Sequence, residues 1–431
     1  MSKGAGELRV SYETIENEII FSIFSEKADR RFNTKFGSHR QFRYKTTDES
    51  TFPECHPDRI ALVAIMNTLP FVAEKLNLGW EVSTDFLKAT KIISRIKVTS
   101  QGTGIQPKKR SDSGKHCLAF SGGADSTAAL AVMPLNTEPV FMLRSKSRSR
   151  SLYDSNAALE SCRQLSLLGF RVHKIESDFE FLRSPIGFPT DLSVSTPAIL
   201  ISESREFETI AFGTILESTY GTSGKAYRNY TDSSHFRLWS TLFDAVGLGY
   251  SLPVAGVSEV GSSILCREHP IGRVHQSCIR GKWGKPCNNC WKCFRKITIL
   301  AALSNHEISD DIVEMIHKSK EVRIRLTEDK PIKHEGVLAY SLERCTGGGR
   351  EIDALRKLTR ADILDTGWME KWYGKSSELI DHSYREESAT KLREMLGEMD
   401  SHQILQLEAW SNLDDTGRNQ KLESFIDSLN G

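Results

Sequence analysis

Length, composition and charge already restrict what this chain can be. It has 431 residues, of which 39% are hydrophobic, 26% charged and 9% aromatic, a composition typical of a globular protein with two or three domains. Its 57 Lys and Arg against 56 Asp and Glu leave a net charge of +1, so nucleic acid or a membrane could be bound only at a local patch. Residues 60–76, the longest apolar stretch, are interrupted by polar residues, and the N-terminus lacks the apolar run of a signal peptide. We therefore predict a cytoplasmic protein that does not enter a membrane.

The first 105 residues are predicted to form a small α+β domain. Residues 8–25 alternate apolar and polar positions, which favours a strand or hairpin with one buried face. Residues 56–76 and 85–96 show helical periodicity, with Pro70 near the end of the first helix. The stretch 100–114 is rich in Gly, Ser and charge, and its residues 106–114 are predicted to be a linker.

From residue 115 the chain alternates short apolar runs with helical segments, the rhythm of a parallel α/β sheet. The predicted strands are residues 116–120, 139–143, 172–175, 209–212 and 252–257, and the predicted helices are 127–132, 152–168 and 196–205. We assign residues 115–305 to this α/β domain. Residues 306–431 are charged and predicted to be mainly helical.

A glycine-rich loop follows the first of these strands. The sequence HCLAF-SGGADST places Ser121, Gly122, Gly123, Asp125 and the hydroxyl pair Ser126-Thr127 between a buried strand and a helix. Two glycines allow the backbone to approach an anion closely, so the N–H groups at the start of the helix can converge on a phosphate. The alternative is a glycine-rich turn without a ligand. Because the loop lies where open sheets bind ligands, we favour phosphate binding.

The loop differs from a Walker A motif, because it has no GxxxxGK[ST] lysine. It resembles the PP-loop (SGGxDS) of the ATP pyrophosphatases. That resemblance implies a sheet of the HUP type, in which the loop holds the pyrophosphate that leaves when a substrate atom attacks the α-phosphorus of ATP. It also implies catalytic roles for Ser121, Asp125 and Ser126, with Asp125 assisting Mg²⁺ and with Thr127 donating a hydroxyl. Adenine would lie near Leu143 and Arg144.

Four cysteines, Cys278, Cys287, Cys290 and Cys293, are spaced C-x8-C-x2-C-x2-C. Closely spaced thiolates can hold one tetrahedral ion, and four of them leave no open position for catalysis, so we predict a structural Zn²⁺. A redox or sulfur-carrying CxxC pair and unligated buried cysteines remain the alternatives. Residues 266–296 carry eight Lys and Arg against one Glu, and this basic surrounding favours the thiolates.

The cysteine spacing about 150 residues after SGGxDS makes the chain similar to QueC (7-cyano-7-deazaguanine synthase)-like members of the PP-loop superfamily. The similarity covers residues 115–296, and the regions before and after it are additions. QueC-like proteins have Gly-x-Asn and a substrate segment after the fourth strand, where this chain reads GTILESTYG from Gly213. At this position we expect Gly213 to contact the nucleotide, and Glu217 and Tyr220 to bind a heterocyclic substrate. Packing roles for Glu217 and Tyr220 are the alternative.

Two further features separate the candidate functions. Residues 144–150 carry four cations at alternate positions, which either meet an anion or form a solvated loop. In the stretch Val257-Ser258-Glu259, the basic residue of QueC-like proteins is missing.

We expect a QueC-like enzyme that uses ATP, Mg²⁺ and Zn²⁺ to adenylate a carboxylate or amide, of a deazaguanine type or on a macromolecule. Ammonia or an amine then displaces AMP. The alternatives are a PP-loop enzyme that modifies tRNA or another nucleic acid, and a non-catalytic nucleotide sensor. The chain is compatible with a homodimer.

Overall fold

The computed structural model describes residues 7–25, 35–47, 51–111, 113–145, 155–221, 226–304, 307–411 and 417–430. The strands are β1 (Glu7–Ile15), β2 (Glu18–Ser25), β3 (Lys35–Phe36), β4 (Gln41–Thr46), β5 (Lys75–Ser83), β6 (Lys97–Ile105), β7 (Lys115–Phe120), β8 (Glu138–Arg144), β9 (His173–Ser177), β10 (Arg183–Ser184), β11 (Phe207–Phe212) and β12 (Gly249–Ser251).

The helices are α1 (Pro57–Thr68), α2 (Thr84–Ala89), α3 (Ala124–Val132), α4 (Ser155–Leu167), α5 (Thr196–Ile201), α6 (Ser234–Ala245), α7 (Glu259–Glu268), α8 (Trp291–Leu303), α9 (Asp310–Lys318), α10 (Lys320–Thr327), α11 (Glu335–Arg344), α12 (Gly349–Thr359), α13 (Arg385–Leu396), α14 (Ser401–Glu408) and α15 (Arg418–Asn430). None of the helices in the described part of the chain is both long enough and apolar enough to cross a membrane.

Ten strands form one large, mostly parallel sheet in the order β12-β11-β7-β8-β9-β4-β2-β1-β5-β6. The five strands from β12 to β9 run parallel to one another. Strand β4 pairs antiparallel with β9, so β1, β2, β4, β5 and β6 extend the same sheet. The short strand β3 instead pairs with β10 in a separate two-stranded sheet. The protein is therefore a mixed α/β structure with a continuous sheet.

Both faces of the parallel part of the sheet are covered. Along β7, Cys117 and Ala119 belong to one buried cluster, and Leu118 and Phe120 belong to another. Since alternate residues of a strand point to opposite faces, each cluster marks one face. Helices α1, α5 and α6 contribute to the first cluster, and α3, α4, α7 and α13 to the second. Strands buried on both faces give continuous apolar runs, which is why β7, β8 and β11 were recognisable in the sequence.

Several predicted elements differ from those in the structure. The predicted helices 85–96 and 196–205 are shorter, since α2 ends at Ala89 and α5 ends at Ile201. The predicted helix 56–76 ends as α1 at Thr68, close to Pro70, and the chain then enters β5, a strand that we did not predict. Residues 100–105 belong to the edge strand β6 rather than to an irregular stretch. The predicted strand 252–257 is wrong, because these residues form a buried turn after β12. Pro253 has no N–H for a strand ladder, and the run is apolar because the turn is buried.

Candidate functional site

The loop between β7 and α3 has a backbone suited to an anion. Gly122 has φ of +75°, a conformation that favours glycine. Gly123, the N-cap of α3, has an extended conformation and no side chain of its own that could cap the first turn. The start of α3 therefore offers backbone N–H groups at the positive end of the helix dipole.

Neighbouring segments hold this loop in place. The Gln276 N–H donates to the Gly122 carbonyl at 2.7 Å, and the Ala124 N–H donates to Ser277 Oγ at 3.3 Å. On the other side lies Gly213, at the end of β11. A Cβ at Gly213 would lie 2.5 Å from Ser126 Cα. Glycine is therefore required there for β11 to meet the first turn of α3.

The loop opens into a cavity of about 380 Å³ beyond the carboxyl ends of β7 and β11. Chain order reverses at this point, because β8 and β9 follow on one side of β7 while β11 and β12 lie on the other. Such a reversal leaves a crevice in which open α/β sheets bind ligands. The cavity is lined by Ala119, Ser121, Gly123, Ala124, Asp125, Ser126, Asp191, Leu192, Val194, Phe212, Gly213, Thr214, Ile215, Ser218, Glu259, Ser277, Lys292, Arg295, Lys296, Lys333 and His334.

Within the loop the two serines act on each other. Ser126 Oγ accepts the Ser121 N–H at 3.3 Å and donates to the Gly123 carbonyl at 3.1 Å, while the Ser121 and Ser126 hydroxyls lie 3.1 Å apart. Asp125 is half-buried and accepts from the Ser262 hydroxyl at 3.0 Å. A carboxylate facing the cavity is a ligand that suits Mg²⁺ beside phosphate oxygens.

Cations from α8 face the same cavity. Lys292, Arg295 and Lys296 are spaced i, i+3 and i+4, so they share one face of the helix. Arg295 donates to both oxygens of Glu259, at 3.0 and 3.1 Å, and the Lys296 ammonium lies 3.3 Å from the same carboxylate. Lys292 has no ion-pair partner among the residues that the structure describes. One positive group on this wall is therefore free to meet an anion.

Two buried carboxyl groups, Glu259 in the lining of the cavity and Glu217 behind it, have opposite electrostatic environments. Burial would disfavour ionised Glu259, but Arg295 and Lys296 hold the pKa of its carboxyl well below the usual range. Burial and the adjacent negative charge of Glu259 raise the pKa of Glu217 to about 8. Both Glu217 oxygens lie 3.0 Å from the Glu259 N–H, which donates to them. Glu259 is thus the charged member of the pair at neutral pH, and Glu217 is mostly protonated.

The C-terminal region contributes Lys333 and His334, which precede α11. His334 has φ of +60°, and the residue is only 9% exposed. Its Nδ1 is 3.8 Å from the Glu259 carboxylate and has no hydrogen-bond partner. Burial and the nearby Arg295 lower the pKa of His334 to about 3, so its imidazole is neutral.

The four predicted cysteine ligands come together beside this site. One ligand atom from each of Cys278, Cys287, Cys290 and Cys293 lies within 4.8 Å of the others, and the sulfurs of Cys287 and Cys293 are 3.8 Å apart. Zn–S bonds of about 2.3 Å in a tetrahedron place the sulfurs about 3.8 Å from one another. This group could therefore hold a metal ion such as zinc.

The cysteine group also begins α8. Cys290 is the N-cap of the helix, and its sulfur accepts the Cys293 N–H at 3.5 Å. The cations Lys292, Arg295 and Lys296 follow within the first two turns. A metal at the cysteines would fix the end of the helix that carries them.

Several residues predicted for the site lie away from the cavity. Thr127 is fully buried within α3. Leu143 and Arg144 do not line it, and the Arg144 guanidinium is bound to Glu180 instead, with its Nε 2.8 Å from that carboxylate. Residues 146–150 of the predicted basic run lie outside the described residues.

Glu217 and Tyr220 are both buried behind the residues that line the cavity. Tyr220 is 1% exposed and packs against Tyr227 and Tyr373, with ring centroids 6.1 and 5.0 Å away. Glu217 faces the backbone of Glu259, and neither residue lines the cavity. The structure therefore brings the loop and Gly213 together, but it does not place Glu217 or Tyr220 with them.

Sequence reasoning missed Glu259 and the cations as parts of the site. The i, i+3, i+4 spacing on α8 was a usable signal, but we assigned those charges only to the surroundings of the cysteines. Lys333 and His334 follow the loop by more than 200 positions, and no local pattern marks them.

Comparison with known proteins gives one match. Residues 238–411 match the model of a family of unknown function (DUF6395). The match includes α8, the cysteine group, Lys333 and His334, but not the glycine-rich loop. The searches of curated proteins and of solved structures found no match.

Proposed function

We propose that the chain is a QueC-like ATP pyrophosphatase of the PP-loop type that activates an acceptor by adenylation. The observation that carries the proposal is the meeting of the Ser121–Thr127 loop with the cationic face of α8 in one cavity. The loop offers N–H groups and hydroxyls, and on the opposite side lie the unpaired Lys292 and the ion-paired Arg295 and Lys296. Such a cavity suits a polyphosphate better than an uncharged ligand.

The order of the parallel strands supports an HUP-type assignment. Across the sheet they run β9-β8-β7-β11-β12. Counting only these parallel strands in chain order, this is the sequence third, second, first, fourth and fifth. In nucleotide-binding sheets with this order, the ligand lies at the reversal beside the first strand. The loop and Gly213 flank that position.

In the proposed reaction, a carboxylate or amide oxygen of the acceptor attacks the α-phosphorus of ATP. The bond from the α-phosphorus to the bridging oxygen breaks, and its electron pair leaves with pyrophosphate. Ammonia or an amine then attacks the activated carbon, and AMP leaves with the former acceptor oxygen. The attacking nitrogen loses a proton to solvent.

The residues of the chain would act mainly by position and charge. The N–H groups at the start of α3 and the Lys292 ammonium would bind the leaving pyrophosphate as negative charge develops on it. Asp125 would hold Mg²⁺, which supplies further positive charge at the phosphates when bound. Glu259 would hold Arg295 and Lys296 in place through ion pairs. Glu217 would in turn position Glu259 by accepting a hydrogen bond from the Glu259 backbone N–H. A zinc ion at the four cysteines would have a structural role.

The proposal is tested by the rate of AMP formation from ATP and Mg²⁺, in the presence of small molecules filtered from cell extract. Asp125→Asn and Lys292→Ala should each slow AMP formation by about 10²-fold or more, because each removes a group from a site of developing charge. Asp244→Asn, an exposed carboxylate on α6, is the matched control and should leave the rate unchanged. Wild-type protein that binds ATP but forms no AMP would instead support a nucleotide sensor.

A further inference from the structure

The turn before α11 has the properties of a binding element rather than a surface loop. The Ile332 N–H donates to Glu335 Oε2 at 2.9 Å. Glu335 is fully buried and is bound in turn by Arg418 of α15, at 3.1 Å from Nη1. Two elements of the C-terminal region therefore hold Lys333 and His334 in position, which is the preorganisation that a ligand site requires.

The two side chains of this turn have unused polar groups. Lys333 is exposed and lines the cavity, and its ammonium has no hydrogen-bond or ion-pair partner among the residues described. The buried His334 Nδ1 likewise has none, and its distance of 3.8 Å from Glu259 is too long for a hydrogen bond. Buried polar atoms in folded proteins are almost always paired, so the Nδ1 atom of His334 is a hydrogen-bonding group that the described residues leave unused.

The charges of the cavity indicate what that ligand is. Four cations line it, namely Lys292, Arg295, Lys296 and Lys333, against the carboxylates of Asp125, Asp191 and Glu259. Two of the carboxylates are already paired: Glu259 with Arg295 and Lys296, and Asp191 with His235 at 3.0 Å. Lys292 and Lys333 are left without partners, and they come from separate segments of the chain. A compact polyanion between them would satisfy both.

We propose that Lys333 and His334 complete the phosphate subsite, so that the C-terminal region binds the pyrophosphate portion of the nucleotide together with the loop. This inference rests on the proposed function for its assignment of ATP to the cavity. It goes further in making the C-terminal region, including residues similar to the family of unknown function, a direct part of the nucleotide site.

Calorimetric titration of the whole chain with inorganic pyrophosphate, with α,β-methylene ATP and with AMP, all in Mg²⁺, tests the inference. Lys333→Glu should weaken the binding of pyrophosphate and of the ATP analogue by at least 10-fold and leave the affinity for AMP unchanged. Lys333→Arg should restore most of the affinity, because it restores the charge. Lys320→Glu, an exposed lysine on α10 outside the cavity, is the control and should bind like wild type.

His334→Asn provides a second variant, because asparagine tolerates the left-handed backbone at this position. This variant should also bind pyrophosphate more weakly while its affinity for AMP stays unchanged. Unchanged pyrophosphate affinity in Lys333→Glu, or an equal loss in Lys320→Glu, would overturn the inference. An AMP affinity that falls together with that for pyrophosphate would place Lys333 elsewhere in the nucleotide site and would also overturn it.

The proposed function fails by a different result. If wild-type protein binds pyrophosphate through Lys333 but never converts ATP to AMP, the subsite stands and the adenylation chemistry does not. If wild-type protein binds neither pyrophosphate nor the analogue, both are wrong.

Discussion

At the scale of single residues, Gly213 determines whether β11 and α3 can meet at the loop. Any Cβ at this position would lie 2.5 Å from Ser126 Cα and 2.6 Å from Ser126 N. Because both are backbone atoms in a packed turn, they cannot yield as a flexible side chain would.

We therefore expect Gly213→Ala to lower the free energy of unfolding by about 1 to 3 kcal/mol and to weaken pyrophosphate binding. Denaturant titration and calorimetry measure these effects. Gly187→Ala is the control, since its Cβ would first meet a side-chain atom, Arg183 Nη1 at 3.3 Å, rather than the backbone. Equal stability of the two variants would contradict the close approach that we describe.

The pair Glu217 and Glu259 should make the free energy of unfolding depend on pH. The pKa of Glu217 is raised from 4.5 to about 8 by burial and then by Glu259, so between these values the folded chain keeps a proton that the unfolded chain has lost. The contribution of Glu217 to the free energy of unfolding therefore falls as pH rises through this window, by up to about 1.4 kcal/mol per pH unit.

Glu217→Gln mimics the protonated group and should remove this contribution. The variant should gain stability relative to wild type as the pH rises from 5 to 8, measured by denaturant unfolding at each pH. Glu394→Gln, at an exposed position on α13, should run parallel to wild type. A difference between Glu217→Gln and wild type that does not change with pH would show that Glu217 is ionised throughout.

At the scale of elements, α8 connects the cysteine group to the cavity. Its N-cap is Cys290, and its first two turns carry the three cations. Serine is also a good N-cap, so Cys290→Ser removes a thiolate while keeping a capping oxygen. Any loss therefore reports the metal rather than the cap.

We expect about one zinc per wild-type chain by elemental analysis, and less in Cys290→Ser. The variant should also have a lower melting temperature and weaker pyrophosphate binding, because a closed site contributes folding free energy directly. Cys55→Ser, whose thiol is distant in sequence from the group, should retain the metal. Wild-type protein that is purified under reducing conditions and contains no metal would exclude the zinc site.

The same scale shows which parts of the fold were predictable. Strands β7, β8 and β11 were recognisable because burial on both faces produces short apolar runs. Strand β5 was missed, although its burial alternates. Its first two residues were assigned to the predicted helix 56–76, and no element was predicted for the rest of it. The loop and the cysteines were found by local spacing. Glu259 and Lys333 were not, because their roles depend on contacts between distant segments.

At the scale of the whole molecule, the N-terminal strands and helix α1 are integral to the α/β core. Tyr44 of β4 donates to Thr196 Oγ1 at 2.7 Å. The buried Arg59 of α1 donates to Ser202 Oγ and to the Val246 and Gly247 carbonyls, at 3.0 to 3.3 Å. Removal of these residues would leave buried polar groups unpaired and expose the edge of β9.

A chain that starts at residue 106 should therefore fail to fold cooperatively, as measured by thermal unfolding and size-exclusion chromatography. A chain that starts at residue 7 is the control and should behave like the full protein. A cooperative, pyrophosphate-binding fragment 106–431 would show that residues 1–105 are a separable domain, as the sequence alone had suggested.

We propose that the loop and α8 hold ATP in a position in which its α-phosphorus can be attacked. Phosphorus NMR tests it most directly, with ATP, Mg²⁺ and filtered cell extract incubated with wild-type protein and, in parallel, with Asp125→Asn. We expect AMP and pyrophosphate to form in equal amounts in the wild-type sample and in much smaller amounts in the Asp125→Asn sample. ADP and inorganic phosphate as the products that depend on wild-type protein would contradict it.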